Sequence, residues 1–337
     1  PEFETSLYAK YQKDNAAFTA LAKYDLNQFI STSWLLASRQ YKVDKAPELG
    51  YFRYGDDLFE GAVNWSSEFR LLRERLVFQP GTPNGLGLRN TAFAFPDGTI
   101  LGGDQLISAP LVTDGLQTEF RNRFVTRQDF TIPLEVGAFK IVPFATIQAQ
   151  WGIDNDPTVF TGELDTSIWS AGVRAFTQFQ RVFNDIDNSM LDLHRLRHVV
   201  EPYLTIWTSD SSEDISQTQQ YDSSLDNLST GTAIWFGMRN RLQTWRGGPG
   251  RWYQVDWITL DTAFIFADDD TTQRYDNPQF FNWRPEYSSI VDAAIAHGKW
   301  QFSDGIAFIG NGTWELDGGE FSRGSIGAEL DHGKDVR

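Results

Sequence analysis

HRLRHVVEPYLTIW, His194 to Trp207, decides how this chain is read. From Val200 onward alternate residues are apolar: Val200, Pro202, Leu204 and Ile206. Glu201, Tyr203, Thr205 and Trp207 fall between them. A period of two marks a strand with two unlike faces. The strand is expected to end in its tryptophan, because the polar run SDSSEDISQTQQYDSS follows at once. A soluble antiparallel sheet with one wet face alternates in the same way, so the neighbouring segments must separate the two settings.

Working outward, Thr232 to Gln243 alternates again. Ile234, Phe236, Met238 and Leu242 face one way, and Gly237, Arg239, Arg241 and Gln243 the other. After the turn TWRGGPGRWY, Val255 to Phe266 runs back, and its alternation slips near Trp257 as a bulge would make it do. Upstream, Glu119 to Thr131 is the cleanest strand. One face reads Glu119, Arg121, Arg123, Val125, Arg127, Asp129, Thr131; the other carries Phe120, Phe124 and Phe130. A short turn near Val136-Gly137 leads to a return strand, Ile141 to Trp151. Ile168 to Phe179 makes another strand, and Arg181 to Leu193 reads as a connection.

The remainder fits the same pattern. Glu2 to Gln12 and Ala16 to Asp25 read as two strands about the turn KDN, although AAFTALAKYDL also suits a short helix. Asn27 to Lys45 has no clear pattern. Pro47 to Tyr54 opens a strand, with proline first, where its missing donor does least harm, and Gly55-Asp56-Asp57 as its turn. Phe59 to Phe78 is strand-like and runs into a Gly/Pro-rich insertion from Gln79 to about Gly115. Tyr287 to Phe302, Ile306 to Leu316 and Phe321 to Leu330 complete the set. Connections alternate between long polar and short glycine-rich, with no helical period and no solenoid repeat.

Composition narrows the class. The 337 residues include 12 Trp, 11 Tyr and 26 Phe, and aromatics favour strands and, for Trp and Tyr, membrane interfaces. A net charge of −16 argues against a nucleic-acid partner. With no cysteine, disulfides, thiolate zinc sites and cysteine nucleophiles are excluded. No apolar run approaches the ~18 residues of a transmembrane helix. No secretory signal opens the chain at Pro1, and the final strand-like GSIGAELDHGKDVR lacks a following partner, so both ends are expected to be cut.

An outer-membrane barrel turns its apolar side to lipid and its polar side to a wet lumen, with short turns at one end, long loops at the other and Trp and Tyr at the interfaces. Arg121, Arg123 and Arg127 share one face, Trp151, Trp207, Trp245 and Trp252 sit at expected strand ends, and loop lengths alternate. The expected fold is therefore all-β: a large antiparallel up-and-down transmembrane β-barrel, or an incomplete segment of one, over residues 1–337. At ~20–25 residues per strand and turn, the chain supplies ~13–16 strands.

RHVVEPYLTIW (Arg197 to Trp207) and RNRLQTWRGGPGRWYQVDWITLD (Arg239 to Asp261) resemble the lipopolysaccharide-assembly outer-membrane proteins, the LptD or OstA family. PELGYF (Pro47 to Phe52) and Leu116 to Trp151 look similar too, so the likeness is scattered from about Pro47 to the end. The resemblance implies a barrel in the outer membrane of a Gram-negative bacterium that receives lipopolysaccharide from periplasmic bridge proteins through an N-terminal jelly-roll domain. It implies an LptE-like plug lipoprotein in the lumen, and release of lipid through a weak seam between first and last strands. The chain departs from this pattern. No jelly roll precedes Pro1, no seam-weakening proline lies between Glu2 and Ala46, cysteines are missing, and the strand estimate is short.

Glu119, Arg121, Arg123, Arg127, Asp129, Arg239 and Arg241 are the candidate lumen-lining residues. Arginine suits phosphate geometry, so the five arginines fit a path for acidic lipid headgroups. The plainer reading pairs them with Glu119, Asp129 or Glu201 as lumenal charge, which any polar lumen carries. Asp268-Asp269-Asp270 lacks the spaced ligands of a calcium loop. His194 and His198 lack a third ligand, so no metal site is expected. No G-x-S-x-G and no P-loop occurs, and neither a catalytic group nor a cofactor is expected.

Three functions follow. The chain is a barrel segment of a lipopolysaccharide translocon in contact with outer-membrane lipids, a porin-like passive channel filled by its own loop (Gln79 to Gly115 being the candidate), or a soluble β-sandwich binding module. The first two require apolar faces turned outward. Phe120, Phe124, Ile234 and Phe236 packed in a shared dry interior would sink both.

Overall fold

The computed structural model describes residues 5–24, 41–78, 80–87, 89, 100–113, 116–153, 165–215, 221–273, 283–288, 290–319 and 321–331. Period-two alternation becomes strand nearly throughout. In order come β1 (Thr5–Lys13), β2 (Ala16–Tyr24), β3 (Tyr41–Leu58), β4 (Val63–Phe78), the short helix α1 (Ala109–Thr113) and β5 (Arg121–Thr131). Next are β6 (Leu134–Val136), β7 (Phe139–Gly152), β8 (Thr166–Thr177), β9 (Phe179–Asn188) and β10 (Leu193–Ser211). The short helix α2 (Ser223–Asp226) precedes β11 (Ser229–Arg246), β12 (Tyr253–Ala267), β13 (Thr272–Gln273), β14 (Ala293–Ser303), β15 (Ile306–Glu315) and β16 (Phe321–Leu330).

The sheet is antiparallel and up-and-down, in the order β1-β2-β3-β4-β5-β7-β8-β10-β11-β12-β14-β15-β16. β6 pairs β7, β9 pairs β10, and the two-residue β13 pairs β11. Among the described residues β1 pairs only β2 and β16 only β15. No described helix is long and apolar enough to cross a membrane.

Several boundaries differ from expectation for physical reasons. AAFTALAKY is strand, not helix, because β1 and β3 pair it on both sides and override its alanines. β3 begins before Pro47 and continues past Gly55. Pro47 falls where the register shifts between Lys45 and Glu48, which absorbs its missing donor. Gly55, at φ 73°, serves the second shift, between Arg53 and Asp56, while residues 59–62 make the turn. The expected connection after Arg181 is largely strand β9, paired with the start of β10. β10 runs past Trp207 to Ser211, so the first polar residues of the supposed loop still lie in the sheet. The slip near Trp257 is a real bulge: Leu242 faces Ile258 and Gln243 faces Asp256, which leaves Trp257 over.

The chain divides into two compact units. The first comprises residues 1–130, 146–169 and 211–228. Two of its buried apolar clusters are Leu72, Val125 and Leu225, and Leu76 with Tyr221. One side of its sheet carries a row of rings in cross-strand contact: Phe18–Tyr51 at 4.6 Å, Tyr51–Phe69 at 6.3 Å, Phe69–Phe124 at 6.4 Å and Phe124–Trp151 at 5.7 Å. Phe120 lies under the guanidinium groups of Arg73 and Arg75, at 4.9 and 4.7 Å. Neither Phe120 nor Phe124 sits in a dry core.

The second unit comprises residues 131–145, 170–210 and 229–337. Ile206, Ile234, Phe236, Met238, Leu260, Phe264 and Phe266 are each between 41 and 46 % exposed on one face. On the other face Phe144, Trp207, Ala233, Ile265 and Ile290 form a buried cluster. Trp207, expected at an interface, is only 1 % exposed, because its parity places it with Glu201, Tyr203 and Thr205.

Gly237 lies opposite Tyr203 in the β10–β11 register, with the ring folded over it. A Cβ there would stand 2.5 Å from Tyr203 Cζ and 2.6 Å from the Thr262 carbonyl oxygen. That oxygen belongs to a neighbouring strand and has little room to give way. Gly237→Ala is expected to cost about 1–3 kcal/mol in urea unfolding. Gly310→Ala, whose new methyl would meet only the Ser325 oxygen at 3.8 Å, should unfold like the parent.

Candidate functional site

Two polar surfaces follow from strand parity, one in each unit. In the first, alternate residues of β4 present Glu68, Arg70, Leu72, Glu74 and Leu76 to one face. β3 adds Lys45 and Glu48, with Lys45 opposite Glu74 and Glu48 opposite Leu72. β5 adds Arg121, Arg123 and Arg127, all buried, and β7 adds Thr146, Gln148 and Gln150. Residues 221–228 lie against this face.

Arg123 is the centre, 1 % exposed. One guanidinium nitrogen meets Glu74 Oε1 at 2.7 Å, and another donates to Asp226 and, at 2.9 Å, to Gln150. Asp226 Oδ2 also accepts the backbone N–H groups of Tyr221 at 2.9 Å and Asp222 at 2.8 Å, which fixes the local turn. Lys45 bridges Glu48 and Asp222, and Arg70 joins Glu48 at 3.0 Å and Glu68. Gln148 Nε2 donates to the Leu225 carbonyl at 3.0 Å. Burial, opposed in part by Arg121, pushes the Tyr221 phenol above its ordinary range.

The second unit's polar face is more open. Tyr203 Oη donates to Asp261 at 2.7 Å, and Asp261 accepts two bonds from Arg239, at 2.8 and 3.0 Å. Arg241 donates to Glu201 at 2.7 Å. The Arg174 guanidinium lies 3.9 Å from the centre of the Phe144 ring. A groove of about 690 Å³ is lined by Lys140, Arg174, Glu201, Tyr203, Trp235 and Arg239, among others. A second, of about 670 Å³, shares Tyr203 and Trp235 and adds Asp261, His297 and Arg323. Cations beside flat aromatic surfaces suit ligands that combine negative charge with sugar rings.

Of the three acids expected to pair with the arginines, Asp129 meets Arg127 at 2.8 Å and Glu201 meets Arg241 at 2.7 Å. Arg121, Arg123, Arg127 and Asp129 belong to the first unit's face, and Arg239 and Arg241 to the second's. Glu119 does not join them. It is exposed, one of the residues before β5 begins, and it forms none of these pairs among the described residues. Arg123 finds Glu74 and Asp226, which sequence reading missed. In RLLRERLVF both parities carry charge, so Glu74 does not stand out, and Asp226 follows directly on the polar run after Trp207, where no local pattern marks a partner. Among the described residues no group of three or more His, Asp or Glu side chains is placed to hold a metal. His194 lies near Asp187 and Asp192, while His198 lies 3.2 Å from Asn240. No protein-family model matches the chain, and no curated protein matches it.

Proposed function

We propose that the chain is a β-barrel segment of the outer membrane of a Gram-negative bacterium, and that it serves lipopolysaccharide transport as a scaffold, not as an enzyme. One observation carries the reading. In the second unit, apolar side chains from Ile206 to Phe266 stand exposed on one face, while the opposite face holds grooves of arginine, lysine, tyrosine and tryptophan. Lipid favours the first face and phosphorylated sugar the second. On this reading the partners are lipopolysaccharide, a plug lipoprotein, periplasmic bridge proteins and membrane lipid. The likeness of RHVVEPYLTIW and the Arg239–Asp261 hairpin to the lipopolysaccharide-assembly family supports it.

The test is detergent extraction, an unheated SDS gel, and mass spectrometry of what stays bound. The expected result is a heat-dependent band shift with lipopolysaccharide and a lipoprotein retained. Extraction without detergent overturns the membrane reading, and a shifted band with neither partner bound overturns the transport reading.

One observation favours a porin-like channel as the second reading. Residues 221–228 fold onto the polar face of their own unit, as a constricting loop does. Of the insertion from Gln79 to Gly115, first suspected of this role, the described part buries Leu101, Ile107 and Ser108. Steady ion conductance by the purified chain, with no lipid bound, would decide for the channel.

A further inference from the structure

We infer that residues 221–228 are a latched closure of the first unit, held by buried ion pairs, and that releasing the latch opens the polar face behind it to ions. The inference rests on that face being a lumen. Tyr221, Leu225, Asp226, Asn227 and Leu228 are each at most 9 % exposed, although their segment is polar in composition. Four strands hold it. β3 supplies Lys45 to Asp222, β5 supplies Arg123 to Asp226, and β7 supplies Gln148 to the Leu225 carbonyl. β4, with Leu72, packs with Val125 on Leu225.

The kind of fastening matters. An apolar clamp of similar volume would hold the segment at least as firmly as buried ion pairs do. An ionic clamp differs because a competing charged solute can break it. In this one the carboxylates of Glu48, Glu68, Glu74, Asp222 and Asp226 share the cations of Lys45, Arg70 and Arg123. Glu74 is fully buried, yet its carboxylate makes no aligned hydrogen bond despite its contact with Arg123. An anion entering at the less deeply buried Lys45–Asp222 end replaces Asp222 on Lys45 and loosens the segment. With both aspartates neutralised, Glu48, Glu68 and Glu74 still remain as partners for Lys45, Arg70 and Arg123.

The 337 residues include no cysteine, so Leu225→Cys gives a single reporter within them. Reaction with a water-soluble maleimide in detergent micelles reads opening of the segment, and conductance in planar bilayers reads the consequence. In the Asp222→Asn, Asp226→Asn background labelling is expected to be about tenfold faster or more, as for a local opening made easier. Conductance is expected to rise severalfold. A Leu72→Cys, Leu225→Cys disulfide should hold conductance low in the same background until a reductant is added. If the double variant does not fold, Lys45→Met replaces it, with the same two results expected. Equal labelling rates with and without the latch overturn the inference, and so does faster labelling with unchanged conductance. Labelling needs neither bilayer nor lipopolysaccharide, so its failure is distinct from failure of the transport reading, which band shift and bound lipid report.

Discussion

Arg123→Met is expected to lower stability by about 3–5 kcal/mol, the cost of breaking a buried ion pair by removing one partner. The substitution keeps length and apolar bulk, so little of the loss is cavity. It leaves Glu74 and Asp226, at 0 and 5 % exposed, facing each other without a shared cation. It also strands Gln150 and loosens the turn built on Asp226. Like charges at such depth are poorly screened by salt, so the loss should persist at high ionic strength. Urea unfolding in micelles, followed by tryptophan fluorescence, measures it. Adding Glu74→Gln should recover part of the loss, because it removes one of the two uncompensated charges at nearly constant volume. A variant as stable as the parent would mean that the ion pairs of Arg123 with Glu74 and Asp226 contribute nothing to the fold.

Met238→Lys separates bilayer from water. Met238 lies at the middle of β11 and is 43 % exposed, opposite Pro202 and Thr262. On a wetted sheet such a change stays within about 0.5 kcal/mol. At the midplane of a bilayer, lysine on the lipid face of a barrel costs about 2–4 kcal/mol. Unfolding from phospholipid vesicles in urea is the measurement. Gln243→Lys is the control, on the same strand and the other face, where Gln243 already bonds to Asp256 at 2.7 Å. A large loss for Met238→Lys with none for Gln243→Lys establishes which face meets lipid. Small effects at both positions would place the sheet in water.

The strand pattern was legible because parity is local. Val200, Pro202, Leu204 and Ile206 announce a face within seven residues, and the bulge at Trp257 shows as one missed beat in the alternation. Asp129 and Glu201 were legible as acids for the arginines for the same reason, whereas the structure assigns them to Arg127 and Arg241. Trp207 was misjudged because a tryptophan at an apparent strand end reads alike whether it meets an interface or, as here, packs against Ile265 and Ile290. Glu119 was placed inside the strand because alternation continues in the sequence beyond the point where pairing stops.

By itself, the sequence determined an all-β antiparallel chain with one apolar and one charged side, since both properties are carried by neighbours two residues apart. Tertiary structure alone decided which acid meets Arg123, since Glu74 and Asp226 lie 49 residues before it and 103 after it and are brought together by strand order. It likewise decided that the polar stretch 221–228 turns inward. A carboxylate leaves water only where a matching cation awaits it, and no local pattern shows where that cation stands.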